Sequence, residues 1–312
     1  MMLLPDFKYM RPKSFDELLS HLIKYGNDAS VLAGGTDLIP RIKMGLKRPK
    51  VIISLSGIDG FAYMQQADKT FRIGAMATIY ELQHHPAIVE NYPALYEAAL
   101  LTAGENIRFR ATVGGNLIQD TRCMEYNQSK EWRASFKPCY KNGGDHCNAV
   151  KGGKRCFATY CGDLAPALIS LGASICLMSK DGDREIPLET LFTGDGQSPF
   201  SMRQGELLKE VILHYTKTMG GYKKLRMRNS IDYPLASVAL SSDQKEKGRF
   251  VVGAVGPRPI AYEFSSYREL ELLTENVYEN VAPVANMSLS PLYRKRMIRV
   301  FARELLRSTV DR

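Results

Sequence analysis

The feature that most constrains this chain is where its cysteines fall. All six lie between Cys123 and Cys176, and five of them (Cys123, Cys139, Cys147, Cys156 and Cys161) are crowded into one stretch. From Arg122 to Cys156 that stretch carries Gly143-Gly144 and Gly152-Gly153 and very few aliphatic residues, so it cannot build a hydrophobic core of its own. It is either a loop or a segment folded by something other than apolar packing. In a reducing compartment, clustered cysteines serve more often as metal ligands or catalytic groups than as disulfides. The spacing Cys123-x15-Cys139-x7-Cys147-x8-Cys156 has no tight C-x2–4-C knuckle of the kind zinc usually takes. Four thiolates suffice for a [4Fe–4S] cube or an all-cysteine zinc site, and wide, irregular spacing suits the cube somewhat better. A disulfide pair is a third option, disfavoured by the compartment.

The rest of the chain reads as ordinary globular protein. With 312 residues, 45% hydrophobic and 24% charged, there is room for two or three domains and no case for wholesale disorder. The longest apolar stretch, Leu164 to Met178, is interrupted by Pro166 and Gly172 and falls short of the ~20 residues a bilayer span needs. Leu3-Leu4 gives way at once to Pro5-Asp6, which is no secretory signal, so a soluble cytoplasmic protein is expected. A net charge of +9 would suit a nucleic-acid binder, but acids and bases are interleaved and no nucleic-acid motif accompanies them. His21, His84, His85, His146 and His214 form no H-E-x-x-H pattern, and no G-x-S-x-G elbow appears. Hydrolysis therefore has no candidate constellation.

Two places repeat one local design. Ser14 with Glu17, and Thr78 with Glu81, form capping-box pairs that open helices, the first over Phe15 to Tyr25. Short strands are expected at Ser30–Ala33, Val51–Leu55, Phe71–Ala75, Val211–Tyr215, Ala236–Leu240 and Phe250–Val255, and a basic helix from about Pro291 to Leu306. Two of the strand-to-helix turns are Ala33-Gly34-Gly35-Thr36-Asp37 and Val113-Gly114-Gly115-Asn116. Paired glycines leave backbone N–H groups unobstructed and permit positive φ, which makes a concavity able to hold phosphate oxygens. Either turn alone is more simply a tight connection, and neither is a G-x-G-x-x-G or Walker loop.

Taken in order, these words resemble a known family. Val31-Leu32-Ala33-Gly34-Gly35-Thr36-Asp37-Leu38, Ile73-Gly74-Ala75 with Thr78, Ala103-Gly104, Thr112-Val113-Gly114-Gly115-Asn116-Leu117, Asp163-Leu164-Ala165-Pro166 and Gly253-Ala254-Val255-Gly256 resemble the FAD-binding medium subunit of the xanthine oxidase and CO dehydrogenase family. The resemblance implies an α+β chain: a two-subdomain FAD-binding fold of the PCMH type, like that of vanillyl-alcohol oxidase, plus a C-terminal α+β domain. The expected divisions are 1–56, 57–200 with an insertion over 119–162, and 201–312. It also implies that both Gly-Gly turns approach the FAD pyrophosphate. By that correspondence Val31, Ala33, Gly34, Gly35, Thr36 and Asp37 line one side, and Ala103, Thr112, Gly114, Gly115, Asn116 and Ile118 the other. Asp163 and Leu164 match positions near the ribityl chain and ring, and Lys224 a lysine near the flavin.

The cysteine insertion is similar to that of the 4-hydroxybenzoyl-CoA reductase β subunits, in Gln119-Asp120-Thr121-Arg122-Cys123, Tyr126-Asn127-Gln128-Ser129, Gly144-Asp145-His146-Cys147 and Arg155-Cys156. That resemblance implies that Cys123, Cys139, Cys147 and Cys156 ligate a [4Fe–4S] cluster, with Cys161 a free thiol near the flavin and Cys176 ordinary core. Eight basic residues between Arg122 and Arg155 would favour an anionic cluster or an acidic carrier such as ferredoxin. The resemblance further implies a large molybdopterin subunit, a small [2Fe–2S] subunit and an (αβγ)2 assembly, with electrons entering from ferredoxin. A second expectation keeps FAD but sends electrons outward to NAD or a quinone, the cysteines holding zinc or a modified cluster. The basic C-terminal helix, with Arg294, Lys295, Arg296, Arg299 and Arg303, is either a partner contact or a solvent face.

Overall fold

Three β-sheets carry the architecture in the computed structural model, which describes residues 4–311. The first is parallel and uses β1 (Lys8–Met10), β2 (Ala29–Leu32) and β3 (Val51–Ser54), in the order β1-β3-β2. The central strand β3 is buried along its whole length, which its unbroken Val51-Ile52-Ile53 run allows. Helix Phe15–Tyr25 lays Leu18, Leu19 and Leu22 on this sheet. Each such leucine contributes about 1.5–3 kcal/mol by leaving water. Ser14 accepts from the Glu17 N–H at the start of the helix, and Gly26 ends it at φ +45°.

The second sheet comprises β4 (Met64–Ala67), β5 (Thr70–Gly74), β6 (Ser174–Ser179), β7 (Gly182–Pro187) and β8 (Leu207–His214), in the antiparallel order β4-β5-β8-β6-β7. Its central strand β8 lies beyond residue 200, ahead of which the sequence suggests a division; we propose a boundary after His214 instead. Helix Leu164–Ser170 is buried at every residue because it is packed in one core that also takes in Ala239 and Val251 of the third sheet.

That third sheet is an antiparallel meander of β9 (Met219–Leu225), β10 (Ala236–Ser242), β11 (Gly248–Gly253) and β12 (Ile260–Phe264). Val238, Leu240, Phe250 and Val252 meet Ile298, Ala302 and Leu305 of helix Pro291–Val310, beside helix Tyr267–Asn280. The basic face expected on the last helix is only partly there. Arg294 is fully buried and donates to the carbonyls of Leu235 (2.6 Å), Val284 (2.6 Å) and Ala254 (2.8 Å), a staple for converging loops. Arg299 and Arg303 instead reach Glu275.

The cysteine segment leaves this scaffold at a closed neck, where Arg122 and Thr159 exchange two backbone hydrogen bonds of 2.7 Å each. Inside it, only the short helix Lys130–Ala134 and one 3-10 turn are regular. No helix among the described residues is long and apolar enough to cross a membrane.

Candidate functional site

The two Gly-Gly turns face each other across one cleft but are built differently. At the first, Gly34 presses on the chain around Arg110 so closely that a Cβ would stand 1.7 Å from the Arg110 carbonyl oxygen, and Gly35 adopts φ +78°. The N–H groups of Gly34 to Leu38 have no backbone acceptor among the described residues. At the second, the amides are already used: Val113 donates to Ala77 (2.9 Å), Gly114 to Ala75 (2.8 Å), Gly115 to the Thr112 hydroxyl (3.1 Å) and Asn116 to the Thr112 carbonyl (2.9 Å). Its Gly114 serves close packing on Ala75, where a Cβ would sit 2.8 Å from the Ala75 Cβ. Free amides for an anion thus come from the first turn, not from both.

The cleft has a volume of about 550 Å³, within the usual range for small-molecule sites of roughly 300–1,000 Å³. Val31, Ala33, Gly34, Gly35, Thr36, Asp37, Thr112, Gly114, Gly115 and Ile118 line it. Ala103, Asn116 and Asp163 line a smaller adjoining cavity of about 110 Å³, and Thr36, Asp37, Gly115 and Gln119 border both. Leu164 and Lys224 line neither. Leu164 is buried, and its N–H donates to Asn116 Oδ1 at 3.1 Å, pinning the second turn to the next helix. Lys224 Nζ is bound to both Asp163 oxygens (3.0 and 3.2 Å), and Tyr222 donates to the same carboxylate at 2.8 Å. Burial pushes the Asp163 carboxyl above its usual range despite the Lys224 ammonium.

Two residues absent from the sequence-based set mark this cleft as a ligand site. Among the described residues, Arg41, 2% exposed, has Nε and Nη1 without any partner, and Gln119 lacks one for Nε2. Both residues line the cleft. Buried donors left unmade cost about 1–3 kcal/mol each, more when charged, so an acceptor-rich anion is what this wall fits. A dinucleotide pyrophosphate supplies such acceptors.

Cys123, Cys139, Cys147 and Cys156 all line one narrow cavity. Cys161 and Cys176 do not; both are buried elsewhere. Burial pushes the Cys123 thiol up to about 11, while the N–H groups of Glu125 and Tyr126 favour its thiolate. Burial also raises Cys156, whose sulfur accepts from the Ala158 N–H at 3.5 Å. His146 lies on the rim and contacts Asp145 at 3.3 Å. Among the described residues, no three His, Cys, Asp or Glu side chains are arranged to hold a single metal ion.

Tyr126 and Lys141 line the cysteine cavity and the cleft alike, so they form the wall between the two. Lys141, counted in the sequence as one of a basic patch, is only 7% exposed; its Nζ donates to Asp120 Oδ1 (2.7 Å), the Thr121 carbonyl and hydroxyl, and the Gly196 carbonyl. The other Asp120 oxygen accepts from Arg41 at 2.6 Å. Burial works to raise the Asp120 carboxyl, but Lys141 and Arg41 outweigh it and hold it below its usual range. No sequence motif singles out Arg41 or Lys141, and Tyr126 enters only as part of a matching word; they become partners only when folding joins the first turn to the cysteine segment.

A cleft walled by paired glycines, free amides and unpaired buried donors defines a dinucleotide-binding protein. Residues 5–214 match the family described as the FAD binding domain in molybdopterin dehydrogenase, and the chain belongs to that family. It is an FAD-binding oxidoreductase subunit of the molybdenum hydroxylase type. It is 28% identical over 292 residues to the aldehyde oxidoreductase FAD-binding subunit PaoB of Escherichia coli (strain K12), covering 86% of this chain and 89% of that protein. To the nicotinate dehydrogenase FAD-subunit of Eubacterium barkeri it is 22% identical over 324 residues, covering 98% and 97%. The fold is shared with reconstituted CO dehydrogenase from Oligotropha carboxidovorans, at a TM-score of 0.79, 23% identity and full coverage of both chains.

Proposed function

We propose that this chain carries FAD in the cleft and a [4Fe–4S] cluster on Cys123, Cys139, Cys147 and Cys156, and relays electrons between a ferredoxin-like carrier and a molybdenum subunit, as in a 4-hydroxybenzoyl-CoA reductase-like complex. The observation that carries the reading is the convergence of four widely spaced cysteines on one cavity that shares a wall with the cleft. A single zinc ion would hold four sulfurs roughly 3.8 Å apart, given Zn–S bonds near 2.3 Å. A cube spreads them wider, each thiolate taking a different iron. When bound, a flavin exchanges one or two electrons and a cube one at a time, so the pair suits a relay.

The chain's own residues have separable tasks in this reading. The Gly34–Leu38 amides, Arg41 and Gln119 hold the pyrophosphate end, Ala103, Asn116 and Asp163 border the far cavity, and the remaining turn residues shape the walls. Lys224 holds Asp163 in place rather than lining the cleft. Arg48 and, from the cysteine segment itself, Lys130, Arg133 and the half-exposed Phe136 line an open groove, which suits an acidic electron carrier. The large molybdopterin subunit, the small [2Fe–2S] subunit and the (αβγ)2 assembly belong to the same proposal.

A second reading, outward electron flow to NAD or a quinone, draws on the names of the relatives, which are an aldehyde oxidoreductase and a nicotinate dehydrogenase. Absorption and low-temperature EPR of anaerobically purified protein separate the relay from the form of the second reading in which the cysteines hold zinc rather than a modified cluster. The relay predicts flavin bands over a broad iron–sulfur background, and a cluster EPR signal after dithionite. Flavin bands alone, with no such signal, favour the second reading.

A further inference from the structure

The wall shared by the two sites has a mechanical weakness. The cysteine segment buries only Cys123, Cys156 and Ala158 as its apolar cluster, with Tyr126, Tyr140 and Ala149 packed around them. So small a core cannot offset the entropy of ordering the segment, at about 1–2 kcal/mol per residue for the backbone alone. Whatever the cysteines hold must supply the rest, and the positions of Tyr126 and Lys141 depend on it. Lys141 is one of two cations on Asp120; the other is Arg41, whose remaining donors lie unpaired in the cleft wall. Were Lys141 withdrawn, Asp120 would stand half-neutralised at the edge of the cleft and repel an anionic ligand.

We propose that loading of the cysteine cavity and binding of the dinucleotide are energetically linked through Lys141, Asp120 and Arg41, each tightening the other. The proposal rests on the cluster reading above. With the cavity filled, the segment is fixed, Lys141 neutralises Asp120, and Arg41 keeps its free donors for the ligand. By linkage the effect is reciprocal, so bound FAD must also raise the affinity of the cysteine cavity for the metal by the same factor.

The test uses the full chain, purified anaerobically, and measures FAD affinity by flavin fluorescence in iron-loaded and chelator-stripped protein. Tighter binding by the loaded form, in the range of about 5–150-fold typical of coupled sites, is expected. In Asp120→Asn the difference shrinks to less than about twofold, because the charge that penalises the stripped form is gone. In Lys141→Met the loaded form falls toward the stripped one. Separately, FAD raises the chelator concentration that strips half of the iron from the wild-type chain at equilibrium. Equal FAD affinity of loaded and stripped wild-type protein overturns the linkage and leaves the cluster reading standing. Failure of any anaerobic preparation to retain iron overturns that reading and the linkage with it.

Discussion

Arg122 Nη2 donates to Asp37 Oδ1 at 2.5 Å, fastening the residue before the first cysteine to the last residue of the first Gly-Gly turn. The same guanidinium lies over the Tyr233 ring, 3.6 Å from its centroid, and donates to its hydroxyl. Three distant parts of the chain therefore meet at Asp37, which lines the cleft. The pair is partly buried, at 16% and 21% exposure, so its charged hydrogen bond is not fully screened. Replacing Arg122 by Ala is expected to cost about 1.5–3 kcal/mol in denaturant unfolding and to speed FAD release. An unchanged midpoint and unchanged release rate would show that the clasp contributes nothing.

Gly34→Ala is expected to be far more damaging than its size suggests. The new methyl would collide with the Arg110 carbonyl, backbone against backbone, so either the first turn or the Arg110 loop must move. The check is flavin content and thermal midpoint, beside Gly256→Ala, whose added Cβ meets nothing within 4 Å and whose φ is not positive. The first variant should lose FAD and several degrees of stability, and the second should stay close to wild type. Retention of full flavin content by Gly34→Ala would mean that the turn yields easily.

Asp120→Asn has a pH signature that follows from its depressed carboxyl. A carboxylate held below its unfolded value, near ~3.9, stabilises the fold fully above that value, and the contribution is lost as pH falls through the lowered folded value. The variant should therefore be less stable than wild type at neutral pH, by roughly 3–5 kcal/mol if the broken network behaves like other buried pairs. Below about pH 4 that gap should close progressively. A gap independent of pH would assign the loss to packing instead.

Lys224 and Asp163 form the most deeply buried ion pair, with side chains 0% and 5% exposed. Lys224→Met leaves a buried carboxylate with only Tyr222 to support it, at a cost of about 3–5 kcal/mol at neutral pH. Adding Asp163→Asn to that variant should recover part of the loss, because no charge then remains uncompensated. Denaturation of both variants decides it, and a double variant weaker than the single one would refute the charge argument.

Much of the scaffold was legible because it is encoded locally. The Thr78–Glu81 box forms both of its reciprocal bonds, helix Phe15–Tyr25 starts and stops at its cap residues, and both Gly-Gly turns face the cleft. Helix Tyr267–Asn280 carries the same signal, Ser266 accepting from the Glu269 N–H, and could have been read from it. Strand β9 could not: it opens Met219-Gly220-Gly221, a poor strand sequence, and is held by pairing with β10. Nor could the Arg41–Asp120–Lys141 relay, because a count of charges cannot distinguish a solvated lysine from one buried between two sites. Leu164 and Lys224 sit one layer behind the cleft for a similar reason; their order along the chain does not reveal depth.

What the four cysteines hold decides whether the chain is a relay, and counting metal in the full chain tests this most directly. Iron, acid-labile sulfide and zinc are determined per chain after anaerobic purification, for the wild type and for Cys147→Ser. A cluster on these cysteines predicts about four irons and four sulfides in the wild type, sharply fewer in the variant, and no stoichiometric zinc. One zinc per chain with no iron would contradict it.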